Sequence, residues 1–273
     1  MISNLFAPLI EAHLLLFWAV LFGLLAAAGE CGFRLGQWRL SERRQFAEPE
    51  RTGVSTITAS MFALLAFTLG LTINFAENRF EARRELVVQE ANTIGTAWLR
   101  ARLVGGSEGD AIAALIEDYA KVRLDFTASG EESEIAPVLT QTSALQTQMW
   151  GLMTELARRT PTPITASLVT SLNEMFDASL SQRFAFASRL PESLVLSLLL
   201  GSMTATGAMG YLLASTGNHQ VLLSLLALLM WAGAMVLILD FSRARLGSIR
   251  VNPAPLVWTI EDFGAGPPGG HSH

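Results

Sequence analysis

Apolar positions along the chain gather into four long runs, separated by stretches with a different period. The runs cover residues 5–28, 56–76, 194–215 and 221–239, and the last is closed by Asp240. Each is long enough, or nearly so, to cross a hydrocarbon core of about 30 Å as a helix. The second run does not stop where it would leave a membrane. TITASMFALLAFTLGLTINFA passes into ENRFEARRELVVQEANTIGTAWLRARL without a proline or a paired glycine, and the pattern turns from uniformly apolar to amphipathic. Read as one helix, residues 56–104 make a rod of about 70 Å, more than twice the membrane core.

The segment between the second and third runs keeps a helical period throughout. Ile112, Leu115, Ile116, Tyr119 and Phe126 form an i, i+3, i+4, i+7 stripe. Val138, Thr142, Leu145, Met149, Leu152 and Leu156 alternate steps of four and three, as in a heptad seam. Thr160-Pro161-Thr162-Pro163 ends that helix, and the next, about residues 164–190, buries Leu168, Leu172, Met175 and Phe176. Gly105-Gly106 and Ser129-Gly130-Glu131-Glu132 mark the earlier breaks, and no strand pattern occurs. The expected fold is all-α: an integral membrane protein with four transmembrane helices and a cytosolic helical bundle. Residues 1–75 hold spans one and two with a polar connector at 29–55. Residues 76–190 form the bundle continuous with span two, 191–241 a hairpin of spans three and four, and 242–273 a C-terminal tail. In span three Ser197, Gly201 and Ala205 recur every four positions, and Gly207, Gly210 and Ala214 add a second small ridge. Such spacing lets helix backbones approach in lipid, so helix packing is expected there.

Composition agrees with a membrane protein carrying a polar part: 273 residues, 51% hydrophobic and 16% charged, against about 25% charged in soluble domains. The net charge of −5 and the absence of any Lys/Arg run exclude nucleic acid as a partner and leave the lipid bilayer. The lone Cys31 excludes an internal disulfide. Arginine placement sets the orientation. With four spans, Arg79, Arg83, Arg84, Arg183, Arg189, Arg243, Arg245 and Arg250 share the side of the termini and bundle, against five arginines in 29–55. The excess places termini and bundle in the cytoplasm, with the spans in a bacterial inner membrane.

Chemistry concentrates on span two. At about 100° per residue, Thr58, Leu65, Leu69, Thr72, Ala76, Arg79, Arg83 and Glu90 lie on one side. Hydroxyls and leucines within the span, with Arg79 and Arg83 at its mouth, are what a pathway for small anions needs. The same row suits threonines that bond back to their own helix and arginines that face headgroups or solvent; both readings stay open. Elsewhere there is no Walker A loop, no G-x-S-x-G and no H-E-x-x-H, so no enzyme, cofactor or metal site is expected. His271 and His273 lie in a Gly/Pro-rich tail, and His13 and His219 are predicted on opposite faces. Asn173, Glu174 and Asp177 share a helix and suit a solvated face or a polar helix contact better than a site for a cation or an arginine.

The run AFTLGLTINFAENRFEARRELVVQEANTIGTAWLRARL, with LNEMFDASLSQR (residues 172–183) and LDFSRARLGSIRV (residues 239–251), resembles a prokaryotic membrane family labelled bestrophin-like. The likeness covers about residues 62–251. It implies the plan of bestrophins proper: pentameric anion channels with four spans per subunit, a cytosolic helical body and a pore lined by the second span. Carried over, that plan puts Phe62, Leu65, Leu69, Thr72 and Ile73 near a pore neck. The dense acidic run of the animal calcium clasp is missing. The expected function is therefore a homo-oligomeric ion channel for anions. A non-conducting membrane scaffold or sensor that signals through its helical bundle is the alternative.

Overall fold

The computed structural model describes residues 14–43, 48–129, 132–188, 190–216, 221–242 and 249–265. Residues 5–13 of the first expected span, residues 217–220 of the hairpin, Arg189, Arg243, Arg245 and the tail histidines lie outside them. Among the described residues there are helices and one 3₁₀ turn and no strand. The helices are α1 (Leu14–Arg43), α2 (Glu48–Val104), α3 (Gly106–Ala128), α4 (Ile135–Arg159), α5 (Pro163–Ala187), α6 (Glu192–Thr216), α7 (Val221–Ser242) and α8 (Ala254–Ala265). Four are long and apolar enough to cross a membrane: α1, α2, α6 and α7. The chain divides into two compact units, residues 1–78 with 189–243 and residues 79–188 with 244–273.

In the first unit α1, α6, α7 and the first part of α2 share a core of Phe17, Leu21, Leu25, Leu69, Leu198, Ala232 and Met235. Residues 29–43 of the expected polar connector continue α1, and residues 48–55 open α2. α1 runs on to Arg43, because Gly29, Gly32 and Gly36 give the helix a side on which α6 can lie. A Cβ on Gly32 would fall on the backbone of Gly207, one on Gly210 would stand 3.0 Å from the Phe33 nitrogen, and one on Gly36 would stand 2.7 Å from the Ala214 Cβ. The second ridge of span three therefore meets a matching glycine ridge on α1, backbone to backbone. Ser202 joins α6 to α7: its hydroxyl accepts from Trp231 Nε1 at 2.8 Å and donates to the Leu198 carbonyl at 2.6 Å. In an apolar surrounding that leaves neither polar group unpaired.

In the second unit the amphipathic stripes close on one another. Val87, Ile94 and Trp98 of α2, Ile112, Ile116 and Phe126 of α3, Met149 and Met153 of α4, and Leu168, Leu172 and Met175 of α5 form its core. α2 ends at a glycine pair with φ of 66° at both Gly105 and Gly106, backbone that a side chain would strain. Gly109 then lets α3 return closely, since a Cβ there would stand 2.6 Å from the Ala101 carbonyl oxygen. Thr162 caps α5 by accepting from the Thr165 amide at 3.2 Å, and Pro163 opens the first turn. Within the expected tail, α8 folds onto this core: Leu256 is buried, Phe263 stacks on Trp98 at 5.0 Å, and the Thr259 hydroxyl reaches Pro255 O at 3.0 Å and Ala91 O at 3.4 Å.

Candidate functional site

The membrane part of α2 has one buried side and a wide open one. Thr58, Leu65, Leu69, Thr72 and Ala76, the row expected along a pathway, are all buried within the protomer's own first unit. Leu69 and Ala76 belong to its core, and Leu65 points at Gly201, where an added Cβ would stand 2.8 Å from its Cδ2. Phe62 is half-buried, edge-on to Trp231 at 6.3 Å, and Ile73 is half-buried. Of the small residues expected in packing, Ala205 is buried, Gly201 meets Leu65 and Ser197 is exposed. The structure thus turns the Thr58–Ala76 row inward: a helix at the edge of a unit buries its regular row of leucines and leaves its irregular side open. That open side carries Thr56, Ser60, Leu64, Phe67, Leu71 and Asn74.

The hydroxyls of α2 are spent on the helix itself. Thr56 donates to Thr52 O at 2.9 Å, Ser60 to Thr56 O at 2.8 Å, Thr68 to Leu64 O at 2.9 Å and Thr72 to Thr68 O at 2.7 Å. A hydroxyl that has donated its proton backward offers only lone pairs outward. One turn from the end of the run, Asn78 donates to the Asn74 side-chain oxygen at 3.1 Å. Thr58 differs, with a buried oxygen that makes no hydrogen bond.

Arg83, expected at a pore mouth, is turned into the second unit. Its side is 1% exposed, and it donates from Nε to Ala185 O at 3.1 Å and from Nη2 to Ser188 O at 2.7 Å. Those carbonyls belong to the last turn and cap of α5, where a helix lacks internal partners and carries negative potential, so a guanidinium is well matched to them. Arg79 is half-buried next to it on the helix. What α2 exposes after the span is mostly acidic: Glu77, Glu81 and Glu85, with Arg84 bonded to Glu81 at 3.3 Å. Glu81, Arg84, Glu85, Gln89 and Asn92 line an open groove of about 530 Å³, with Glu174 of α5 on its border. Of the polar trio expected on α5, all three are exposed, and Glu174 borders this groove.

A buried polar cluster at the centre of the second unit escaped the sequence reading. Glu90 on α2 is 0% and Arg123 on α3 1% exposed, and Arg123 Nε donates to Glu90 Oε1 at 2.5 Å. Arg123 Nη2 reaches Glu90 Oε2 at 3.4 Å and donates to Gln182 Oε1 on α5. Gln182 Nε2 donates to Thr127 Oγ1 at 3.2 Å, and the guanidinium lies 4.3 Å from the centre of the Phe126 ring. Beside it, burial pushes the Tyr119 phenol up to about 12, against the pull of Arg123 and with the push of Glu90. The available signal was Arg123 itself, a cation set between Tyr119 and Phe126 on an apolar stripe.

Comparison with known proteins agrees with this fold. The bacterial bestrophin homologue from Klebsiella pneumoniae superposes with a TM-score of 0.67 at 13% identity, covering 94% of this chain and 100% of that one. A single-substitution variant of that homologue gives 0.66 at 12% identity, over 89% and 96% of the two chains. A variant of a membrane protein gives 0.66 at 11% identity, over 91% and 96%. No curated protein matches the sequence. The Bestrophin-like domain matches residues 14–256, nearly the whole length, and with four membrane-length apolar helices behind that match the chain belongs to the Bestrophin-like family of membrane proteins.

Proposed function

We propose that the chain is one subunit of an oligomeric ion channel, with the open side of α2 turned to the pathway and its second unit and termini in the cytoplasm. The observation that carries this reading is the surface of α2. Its inward row is buried within the protomer, and its outward side is a polar-dotted strip that the protomer leaves uncovered. Copies arranged about an axis would cover that strip or line a path with it. Membership in the family and the fold shared with bacterial bestrophin homologues support the same plan.

The open side suits cations better than the small anions expected from the sequence. An anion needs donors, and with the hydroxyl protons of Thr56, Ser60 and Thr68 committed to α2's own carbonyls, the Asn74 amide is the donor left on that side. It also needs cations at the mouth, and Arg83 is committed to α5. Glu77 and Glu85 are exposed beyond the span, with Glu81 shared with Arg84, and repeated around an axis they concentrate cations where the pathway leaves the membrane. With a Debye length of about 8 Å at physiological salt, the preference is strongest in dilute salt. The test is ion flux through liposomes carrying the purified protein, with reversal potentials read in a salt gradient. Cation-selective flux that weakens in Glu77→Gln with Glu81→Gln is expected. Flux no faster than in empty liposomes, at verified incorporation, overturns the channel and leaves a scaffold; chloride-selective flux overturns the selectivity.

A further inference from the structure

The Glu90–Arg123–Gln182 cluster takes no part in the proposed pathway, and it pairs two charges that are both fully buried in the second unit. Its surroundings explain what it does. The side of α2 that enters this core alternates large residues with small ones: Val87, Ala91, Ile94, Ala97, Trp98 and Ala101. Apolar burial is non-directional, and a surface this rich in alanine constrains the rotation and sliding of a helix only weakly. Directional constraints come from polar side chains. One turn of slip, about 5.4 Å, would carry Glu90 away from Arg123 and leave two opposite charges unpaired in the core. Gln182 makes the cluster a three-helix junction, because its amide accepts from Arg123 on α3 and donates to Thr127 one turn further along the same helix.

We propose that Glu90, Arg123 and Gln182 form a register lock, positioning residues that fix the rotation and axial setting of α2 against α3 and α5. Arg83 on the α5 carbonyls and Arg100, which donates to Ser167 O at 3.0 Å, hold the same helix on either side of it. The lock does not depend on the channel reading. Any consequence for conduction does, and it is read apart from the lock itself.

The test uses the full-length protein with Cys31→Ser, which removes the only cysteine. Single cysteines replace Glu85, exposed, or Val87, buried, two positions apart on α2. Maleimide labelling in detergent should be at least about tenfold faster at position 85, because a buried site labels only through local opening. Glu90→Leu with Arg123→Met, an apolar replacement of the kind that buried ion pairs usually tolerate, removes the lock while keeping a filled core. Labelling contrast falling below about threefold, at an unchanged melting midpoint, is the expected result. A fall in contrast accompanied by a lower midpoint of that variant is read instead from Glu90→Gln with Arg123→Gln, where the same loss of contrast is expected. Parent-like contrast in a folded variant overturns the lock, since a merely space-filling cluster predicts that outcome. Liposome flux of the same variant is read separately: absence of flux in the parent counts against the channel and leaves the labelling result standing.

Discussion

Gly32 and Gly23 lie on the same helix, nine residues apart, and the structure gives them opposite surroundings. An added Cβ at Gly32 would stand 2.6 Å from the carbonyl carbon and 2.9 Å from the Cα of Gly207, where ordinary contact begins at 3.4 Å. At Gly23 a Cβ would meet nothing within 4 Å. Gly32→Ala therefore forces α1 and α6 apart by about 1 Å, and the obstacle is backbone, which cannot swing away as a side chain would. Overpacking of this kind costs about 1–3 kcal/mol, and the parted helices also lose weak Cα–H···O contacts of about 0.5–1 kcal/mol each. Both substitutions gain about 1 kcal/mol of helix propensity, so that term cancels between them. The expected difference is about 3 kcal/mol, or about 6–12 °C in melting midpoint for a chain of this size. Thermal melts of the two purified variants in one detergent, followed by tryptophan fluorescence, measure it. Midpoints within a degree or two of each other would refute the close approach of α1 and α6, and with it the helical reading of residues 29–43.

Arg83→Ala should lower the midpoint by the equivalent of about 2–4 kcal/mol, since it strips the Ala185 and Ser188 carbonyls of a charged donor; a parent-like melt would place Arg83 in solvent. Thr162→Ala removes the cap of α5 and should cost about 1 kcal/mol in the same assay, with no effect expected from Thr154→Ala on the exposed side of α4. Tyr119 titrates at about 12 in the folded protein against 10 when unfolded, so the folded state keeps a proton that the unfolded state releases. Stability should fall as pH rises from 10 to about 12, and in Tyr211→Phe the phenolate absorbance should appear only near the top of that window; a midpoint near 10 would contradict the burial.

How far the sequence carried the fold depends on which side of each helix water touches. In the second unit one side is wet, so the stripe from Ile112 to Phe126 and the seam from Val138 to Leu156 state their own orientation, and the structure buries those residues apart from Leu115, Val138 and Leu152, which are half-buried. In the membrane both sides of a helix are apolar, and periodicity no longer separates inside from outside. The row from Thr58 to Ala76 is regular because it packs, while the strip from Thr56 to Asn74 is irregular because it does not, and nothing local tells these apart. Residues 29–43 misled for a related reason. Glu30 and Arg34 read as connector polarity, yet their 2.7 Å pair four residues apart is the surface of a helix whose other side holds Gly29, Gly32 and Gly36. Arg83 shows the limit most plainly. A cation just past a span is equally at home at a pore mouth and on the end of another helix, and its partners here lie more than 100 residues along the chain. Yet the same sequence held the better clue one helix later. A cation on a stripe that must be buried, as Arg123 is, can be accommodated only with a carboxylate brought to it, and Glu90, seven residues beyond Arg83 on the same side of α2, stands where that carboxylate is needed.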